Sequence, residues 1–407
     1  MNFSYSAVFL FQRKKPYIWT KLHNFGDTSG MRGDMGHINS AFPYQAFKAQ
    51  SSIIGIGATP EGIDQNPVYY DFLYEQNFRT KPVKNLTLYL IQQNHKRYGL
   101  HKFDQNISLA WTYLRKSVYS QDFSVQDLTA IAHLHPKQSS SLFERNRSTP
   151  KPLLCNVFNA WTHLLYAANT MSQFTDPFLY DLVNVGREVL AQLSTPFALN
   201  FSDARSAALM NRDELTEQGG LYIQLLQDFD RLLGTNSAFM LQPWLESARR
   251  LAEEDQTGTI EYDCFSPILS NQTSPGSCAS FYEFNARSQI TTWNPTVYNA
   301  NHIPRGPVDY AAKHWSGLVE HYYGKRAKIL LQQALRDQQN SQPLNSTKVE
   351  KLFADHAYDW TTSVSEEGKT ANTSAPEHRD WRFVVRKTIQ TSREMHQKYL
   401  HWFKDCR

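Results

Sequence analysis

Glu61 sits where a chemically active group has to sit. It occurs in GIGATPEGIDQN, directly after an apolar strand-like run and before a helical one. In an α/β barrel that junction is the C-terminal rim, where catalytic side chains collect, and a carboxylate there faces the pocket. A plainer reading needs the same residues: proline is preset in φ for the first helical turn and glutamate is favoured at the positive end of the helix dipole. The tetrapeptide HNFG closes the preceding apolar run in the same way, so His23 and Asn24 reach the same rim. Amide and imidazole groups at such a rim can hold sugar hydroxyls, and they can equally satisfy the loop's own hydrogen bonds.

Other chemistries find little support. The 14 histidines show no partnered C-x-x-C and no H-E-x-x-H, so no metal is expected, and His133 and His135 read as a solvated loop. There is no G-x-S-x-G elbow, and IIGIGATPEG has too few glycines, wrongly spaced, to cradle a phosphate. No cofactor is implied. A net charge of +4, from 42 basic and 38 acidic side chains with no long basic run, gives no concentrated field for nucleic acid. No stretch approaches the roughly 20 apolar residues of a membrane helix, so no membrane partner is expected.

The elements that must position Glu61 are two consecutive strand–helix units. PYIWTKL and SSIIGIGA read as buried strands, with MGHINSAFPYQAFKAQ and NPVYYDFLYEQNF as the helical segments that follow them. This is the grammar of a parallel α/β sheet or a (β/α)8 barrel. A closed barrel takes about 250 residues, so these units alone leave unpaired strand edges and an uncovered apolar face, and earlier strands are expected to be missing. After KPVKNL the strand signals fade and helical ones take over: SLAWTYLRKSVY, NVFNAWTHLLYAANTM, FLYDLVNVGREVLAQL, GLYIQLLQDFDRLLG and FMLQPWLESARRLAEE. The expected class is α+β overall: the C-terminal part of a (β/α)8 barrel over residues 1–82, truncated at its N-terminus, then a large all-α domain over 83–407.

Within the helical part, Asp309 is placed to cap a helix whose Ala311, Trp315, Leu318, Tyr322 and Ile329 form one buried stripe. Four cysteines are too few for a disulfide-dense scaffold, although Cys264 and Cys278 flank a loop that one bridge could close. Asn85, Asn106, Asn146, Asn200, Asn271, Asn345 and Asn372 each begin an N-x-S/T sequon, which favours the secretory pathway. The opening residues MNFSYSAVFLFQRKKP make a poor signal peptide, their apolar run being short and followed rather than preceded by charge.

Taken in order, PYIWTKLHNFG, GIGATPEGIDQNPVYYDFLYE, FYEFNARSQITTW and DYAAKHWSGLVEHYYGKR resemble glycoside hydrolase family 89, the alpha-N-acetylglucosaminidases. The resemblance runs from about Pro16 to Arg326, with a looser tail; TPEGIDQN and NARSQITTW are its most specific segments. It implies lysosomal hydrolysis of terminal alpha-linked N-acetylglucosamine from heparan sulfate, by a small α/β domain, a barrel and a helical domain. It assigns Glu61 as the retaining nucleophile and brings Trp293 and Tyr310 to the barrel mouth, where packing between domains is their alternative role. The acid/base glutamate of the family lies in an N-E motif upstream of the strand matching PYIWTKL, so it is expected to be absent here. Where the family continues NFG with a second glycine, this sequence has Asp27, and the segment between Trp293 and Asp309 is long.

The resulting expectation is an exo-acting retaining glycosidase, present as a portion lacking its acid/base, with Glu61 as nucleophile and His23, Asn24, Trp293 and Tyr310 binding the sugar. Its partner is a glycosaminoglycan or another glycan ending in alpha-linked N-acetylglucosamine, and a homo-oligomer is compatible with it. The alternative is a non-catalytic divergent paralogue acting as a binding or interaction module.

Overall fold

The computed structural model describes residues 15–24, 30–31, 33–41, 52–59, 61, 66–120, 151–206, 211–255, 278–293, 309–363 and 380–406. Pro60, Asp27, His133, His135, Cys264 and the sequon asparagines Asn146, Asn271 and Asn372 lie outside them.

Both strands form, with a helix after each. β1 (Tyr17–Lys21) and β2 (Ile53–Ala58) pair in parallel, with Ile18 opposite Gly55 and Lys21 opposite Ala58. The ladder extends beyond its named ends, because Tyr17 donates to the Ser52 carbonyl at 3.1 Å and Thr59 to the Lys21 carbonyl at 3.0 Å. α1 (Met35–Ala41) follows β1 and α2 (Pro67–Glu75) follows β2. α2 starts sharply: Asn66 accepts from the Tyr69 amide and Pro67 occupies the first turn, where its missing N–H costs nothing. It buries Val68, Tyr69, Phe72 and Leu73. A parallel sheet is normally covered on both faces, yet Ile18 is 58% and Ile54 71% exposed among the described residues.

The rest is helical: α3 (Leu86–Arg97), α4 (Gln105–Lys116), α5 (Lys151–Thr170), α6 (Asp176–Ser206), α7 (Arg212–Leu233), α8 (Gln242–Asp255), α9 (Cys278–Ile290), α10 (Gly324–Gln339), α11 (Ser346–Thr362) and α12 (Trp381–Tyr399). Side chains of Asn85, Asp104, Asn211 and Asn345 accept backbone N–H groups at the starts of α3, α4, α7 and α11, satisfying donors that a helix start leaves open.

The described residues form two compact units. The first comprises residues up to 120 with 151–189 and 392–406; the second comprises 190–391. In the first, α6 is buried on every side from Asp181 to Val189, as expected of a helix at the centre of a core. Its polar residues are used as anchors: Asp181 accepts from Tyr98 Oη at 2.6 Å and pairs with Arg97, and Glu188 accepts the Met31 amide at 2.9 Å. A Cys155–Cys406 disulfide ties α5 to the chain's last described turn. Cys278 is also disulfide-bonded.

The helix expected to begin at Asp309 does not form there. Residues 309–317 are a turn and a non-helical segment in which Ser316 makes an isolated bridge to Met240, and helical backbone starts at Leu318 with a π-helical turn, Val319–Tyr323, leading into α10. Asp309 has φ +60° and Ala312 φ +41°, both outside right-handed helical backbone. The apolar spacing over Ala311, Trp315, Leu318 and Tyr322 reflects burial of a non-helical segment followed by the π turn, which shifts the register of what comes after.

Candidate functional site

The first unit brings three of the five candidate residues to one end of the sheet. Lys21 and Ala58 are partners in the parallel register, so both strands leave the sheet at the same end. Asn24 is three positions past 21 and Glu61 three positions past 58, with His23 just before Asn24. Glu61 is exposed, whereas His23 and Asn24 are buried, at 0% and 1% exposure.

His23 is held by aromatic packing. Its ring stacks on Tyr69 with centroids 3.9 Å apart and meets Tyr70 edge-on at 5.3 Å. Tyr69 can lie there only because residue 33 is glycine: a Cβ at Gly33 would fall 2.0 Å from Tyr69 Cδ2. Burial pushes the Tyr70 hydroxyl up to about 12, so it stays protonated and able to donate at any physiological pH. The segment after HNFG is tied down by α6, because Glu188 accepts the Met31 amide and a Cβ at Gly30 (φ +107°) would lie 2.9 Å from the same carboxylate oxygen. Sequence reasoning missed Tyr69, Tyr70, Gly33 and Glu188. The YY pair in NPVYYDF was visible, but its stacking on His23 depends on a helix and a loop that are distant in sequence.

The second unit holds the other two candidates, and they touch. The Trp293 and Tyr310 rings meet edge-to-face at 5.3 Å and 70°, an arrangement that aromatic quadrupoles favour. Trp293 lies just past the end of α9 with φ +59°, its amide donating to the Ser288 carbonyl at 2.7 Å. The Asp309 amide donates to the Thr291 carbonyl at 2.7 Å, which brings the ITTW and DYA segments side by side. Trp293 is 51% exposed.

Among the described residues no three His, Cys, Asp or Glu side chains gather as a metal set, and no helix is long and apolar enough to cross a membrane.

Two family descriptions match the sequence: the alpha-N-acetylglucosaminidase (NAGLU) tim-barrel domain over residues 10–80 and the alpha-N-acetylglucosaminidase C-terminal domain over residues 89–387. Human alpha-N-acetylglucosaminidase is 30% identical over 352 residues, which cover 83% of this chain and 42% of that protein. The chain therefore spans less than half the length of that relative. The family 89 glycoside hydrolase from Clostridium perfringens in complex with PUGNAc superposes with TM-score 0.71 at 22% identity, over 96% of this chain and 40% of that one. A variant of that enzyme with two glutamates changed to glutamine, bound to its substrate GlcNAc-alpha-1,4-galactose, gives TM-score 0.70 at 21% identity, over 97% and 41% of the two chains. Its complex with 2-acetamido-1,2-dideoxynojirimycin gives TM-score 0.70 at 21% identity, over 95% and 40%. The shared fold is the C-terminal part of a (β/α)8 barrel followed by a helical domain.

Proposed function

This chain belongs to the alpha-N-acetylglucosaminidase family, glycoside hydrolase family 89, and from that membership we propose that Glu61 is the nucleophile of a retaining exo-glycosidase acting on terminal alpha-linked N-acetylglucosamine. In retention one carboxylate attacks the anomeric carbon to form a glycosyl-enzyme. A second carboxyl about 5 Å away protonates the departing oxygen and then activates water. Glu61 supplies the first of these. Asn24 and His23 hold sugar hydroxyls at the same sheet end; in the second unit, Trp293 and Tyr310 are the sugar-binding residues implied by the family resemblance. The observation that carries the reading is the parallel register, which delivers Asn24 and Glu61 equally far past the Lys21–Ala58 pair. The paired glutamate-to-glutamine changes in the substrate-bound C. perfringens variant support a two-glutamate mechanism in the family.

The substrate class is a glycosaminoglycan such as heparan sulfate, or another glycan ending in alpha-linked N-acetylglucosamine. The barrel portion extends to residue 82 and the helical domain begins at 83. The location is the lysosome or secretory pathway, supported by the Cys155–Cys406 bridge and by exposed sequon asparagines at 85, 200 and 345.

Titration calorimetry of the 407-residue protein with 2-acetamido-1,2-dideoxynojirimycin tests the reading. Its ring nitrogen carries a positive charge that an anionic Glu61 would attract. Saturable binding is expected, weakened about tenfold or more in Glu61→Gln, equivalent to about 1.4 kcal/mol or more. No saturable binding, or equal affinities, contradicts it.

A further inference from the structure

The second unit contains a buried ion pair whose acid, Asp309, is the residue before Tyr310 of the Trp293–Tyr310 contact. Asp309 adjoins Tyr310 in sequence, and its amide is the group that bonds the Thr291 carbonyl two residues before Trp293. It is the junction of both aromatic segments. Its backbone has φ +60°, as Trp293 has φ +59° and Ala312 φ +41°. For residues with a Cβ such left-handed conformations persist only where surrounding contacts over-determine them.

The contact that fixes Asp309 comes from Arg326. Arg326 Nη1 donates to Asp309 Oδ2, and the two side chains are each only 7% exposed. Asp309 Oδ1 is buried and accepts no hydrogen bond from the described residues, so the carboxylate has no second anchor among them. Arg326 is itself clamped: Nη2 donates to Tyr322 Oη at 2.6 Å and the guanidinium lies 4.4 Å from the Tyr322 ring centroid. Tyr322 belongs to the π-helical turn, and its carbonyl accepts from His356 Nε2 at 3.1 Å on α11. A planar, pre-organised guanidinium fixes both the place and the orientation of a carboxylate in a way that a lysine ammonium cannot.

We propose that Asp309 and Arg326 are positioning residues for sugar binding: their buried pair holds the left-handed turn that sets Tyr310 edge-to-face against Trp293 and keeps the exposed indole face presented. This rests on the reading of Trp293 and Tyr310 as sugar-binding residues. Neither charge touches the ligand; both act through the backbone of the turn.

The test measures affinity of the full 407-residue protein for 2-acetamido-1,2-dideoxynojirimycin together with the melting temperature and the near-ultraviolet circular dichroism of the coupled aromatic pair. Asp309→Asn and Arg326→Lys are each expected to weaken binding tenfold or more and to change the aromatic signal. Asp309→Glu, which keeps the charge, should recover part of both. Asp181→Asn, which breaks a buried pair in the other unit, controls for lost stability: it should lower the melting temperature and leave the aromatic signal and the affinity in place. Should Asp309→Asn fail to fold, Arg326→Lys, which retains the positive charge, carries the test. If Trp293→Ala weakens binding while Asp309→Asn and Arg326→Lys bind like the parent and keep its near-ultraviolet aromatic signal, the positioning role is overturned and the sugar-binding role of Trp293 stands. If Trp293→Ala leaves affinity unchanged, the underlying reading falls with it.

Discussion

Glycine at position 33 is the least conspicuous residue around the sheet-end cluster and one of the most exacting. Its missing Cβ is the space that Tyr69 fills, and Tyr69 in turn carries the His23 ring. Gly33→Ala should therefore push Tyr69 off His23 and destabilise the first unit by about 1–3 kcal/mol, the usual cost of overpacking; thermal melting will read it, and Gly33→Ala combined with Tyr69→Leu should regain part of the loss. A neutral Gly33→Ala would show that His23 is placed by something else. At this scale the sequence was informative where chemistry follows chain position: PEG and HNFG could be read as two strand ends. It was uninformative about Tyr69, Gly33 and Glu188, because their roles arise from a loop, α2 and α6 meeting in space.

Elements were legible where their periodicity was regular. The two strands and the helices holding SLAWTYL, NVFNAWTHLL and GLYIQLLQDF all form, because their apolar spacing is regular, and Asp104 and Asn211 cap the first and last of those helices. The segment after Asp309 is not the helix that its apolar spacing suggests, because a run of buried apolar residues resembles a helical stripe even when its backbone is not helical. Ala312 in that segment has φ +41°, a conformation that strains any residue with a Cβ. Ala312→Gly should thus stabilise the second unit by up to about 1 kcal/mol, opposite in sign to the usual effect of adding glycine. Denaturant unfolding measures it, and a destabilised Ala312→Gly would refute the left-handed assignment. Removing a cap gives the ordinary sign: Asn211→Ala should cost about 1 kcal/mol through the lost bond to the Glu214 amide.

For the whole molecule, covalent closure and pH bear on stability. Cys155 and Cys406 are 251 residues apart, and in the chain-entropy account a closure of that length stabilises by roughly 5 kcal/mol. Cys155→Ser with Cys406→Ser should lower the melting temperature markedly, and reductant should do nothing further through this pair. That bridge was not legible, since cysteine spacing does not determine connectivity. Burial also pushes His356 and His396 down to about 4. A histidine kept neutral by the fold contributes stability that is fully present above its unfolded value near 6.5 and is lost as pH falls towards 4. Stability should decline across that window, by at most about 1 kcal/mol per pH unit per histidine once residual solvent contact is discounted, and a falling melting temperature reads it. Replacing both with glutamine should flatten the decline, and an unchanged slope would exclude them as its cause.

The nucleophile can be read most directly by trapping it. A 5-fluoro-N-acetylglucosaminyl fluoride places fluoride at the anomeric carbon; fluoride leaves without being protonated, so only the attacking carboxylate is needed and the ester it forms turns over slowly. Incubating the protein with this reagent, digesting it and sequencing the labelled peptide by mass spectrometry should locate one glycosyl adduct on Glu61, absent from Glu61→Gln. A label on any other side chain, or the same label in Glu61→Gln, would contradict the assignment.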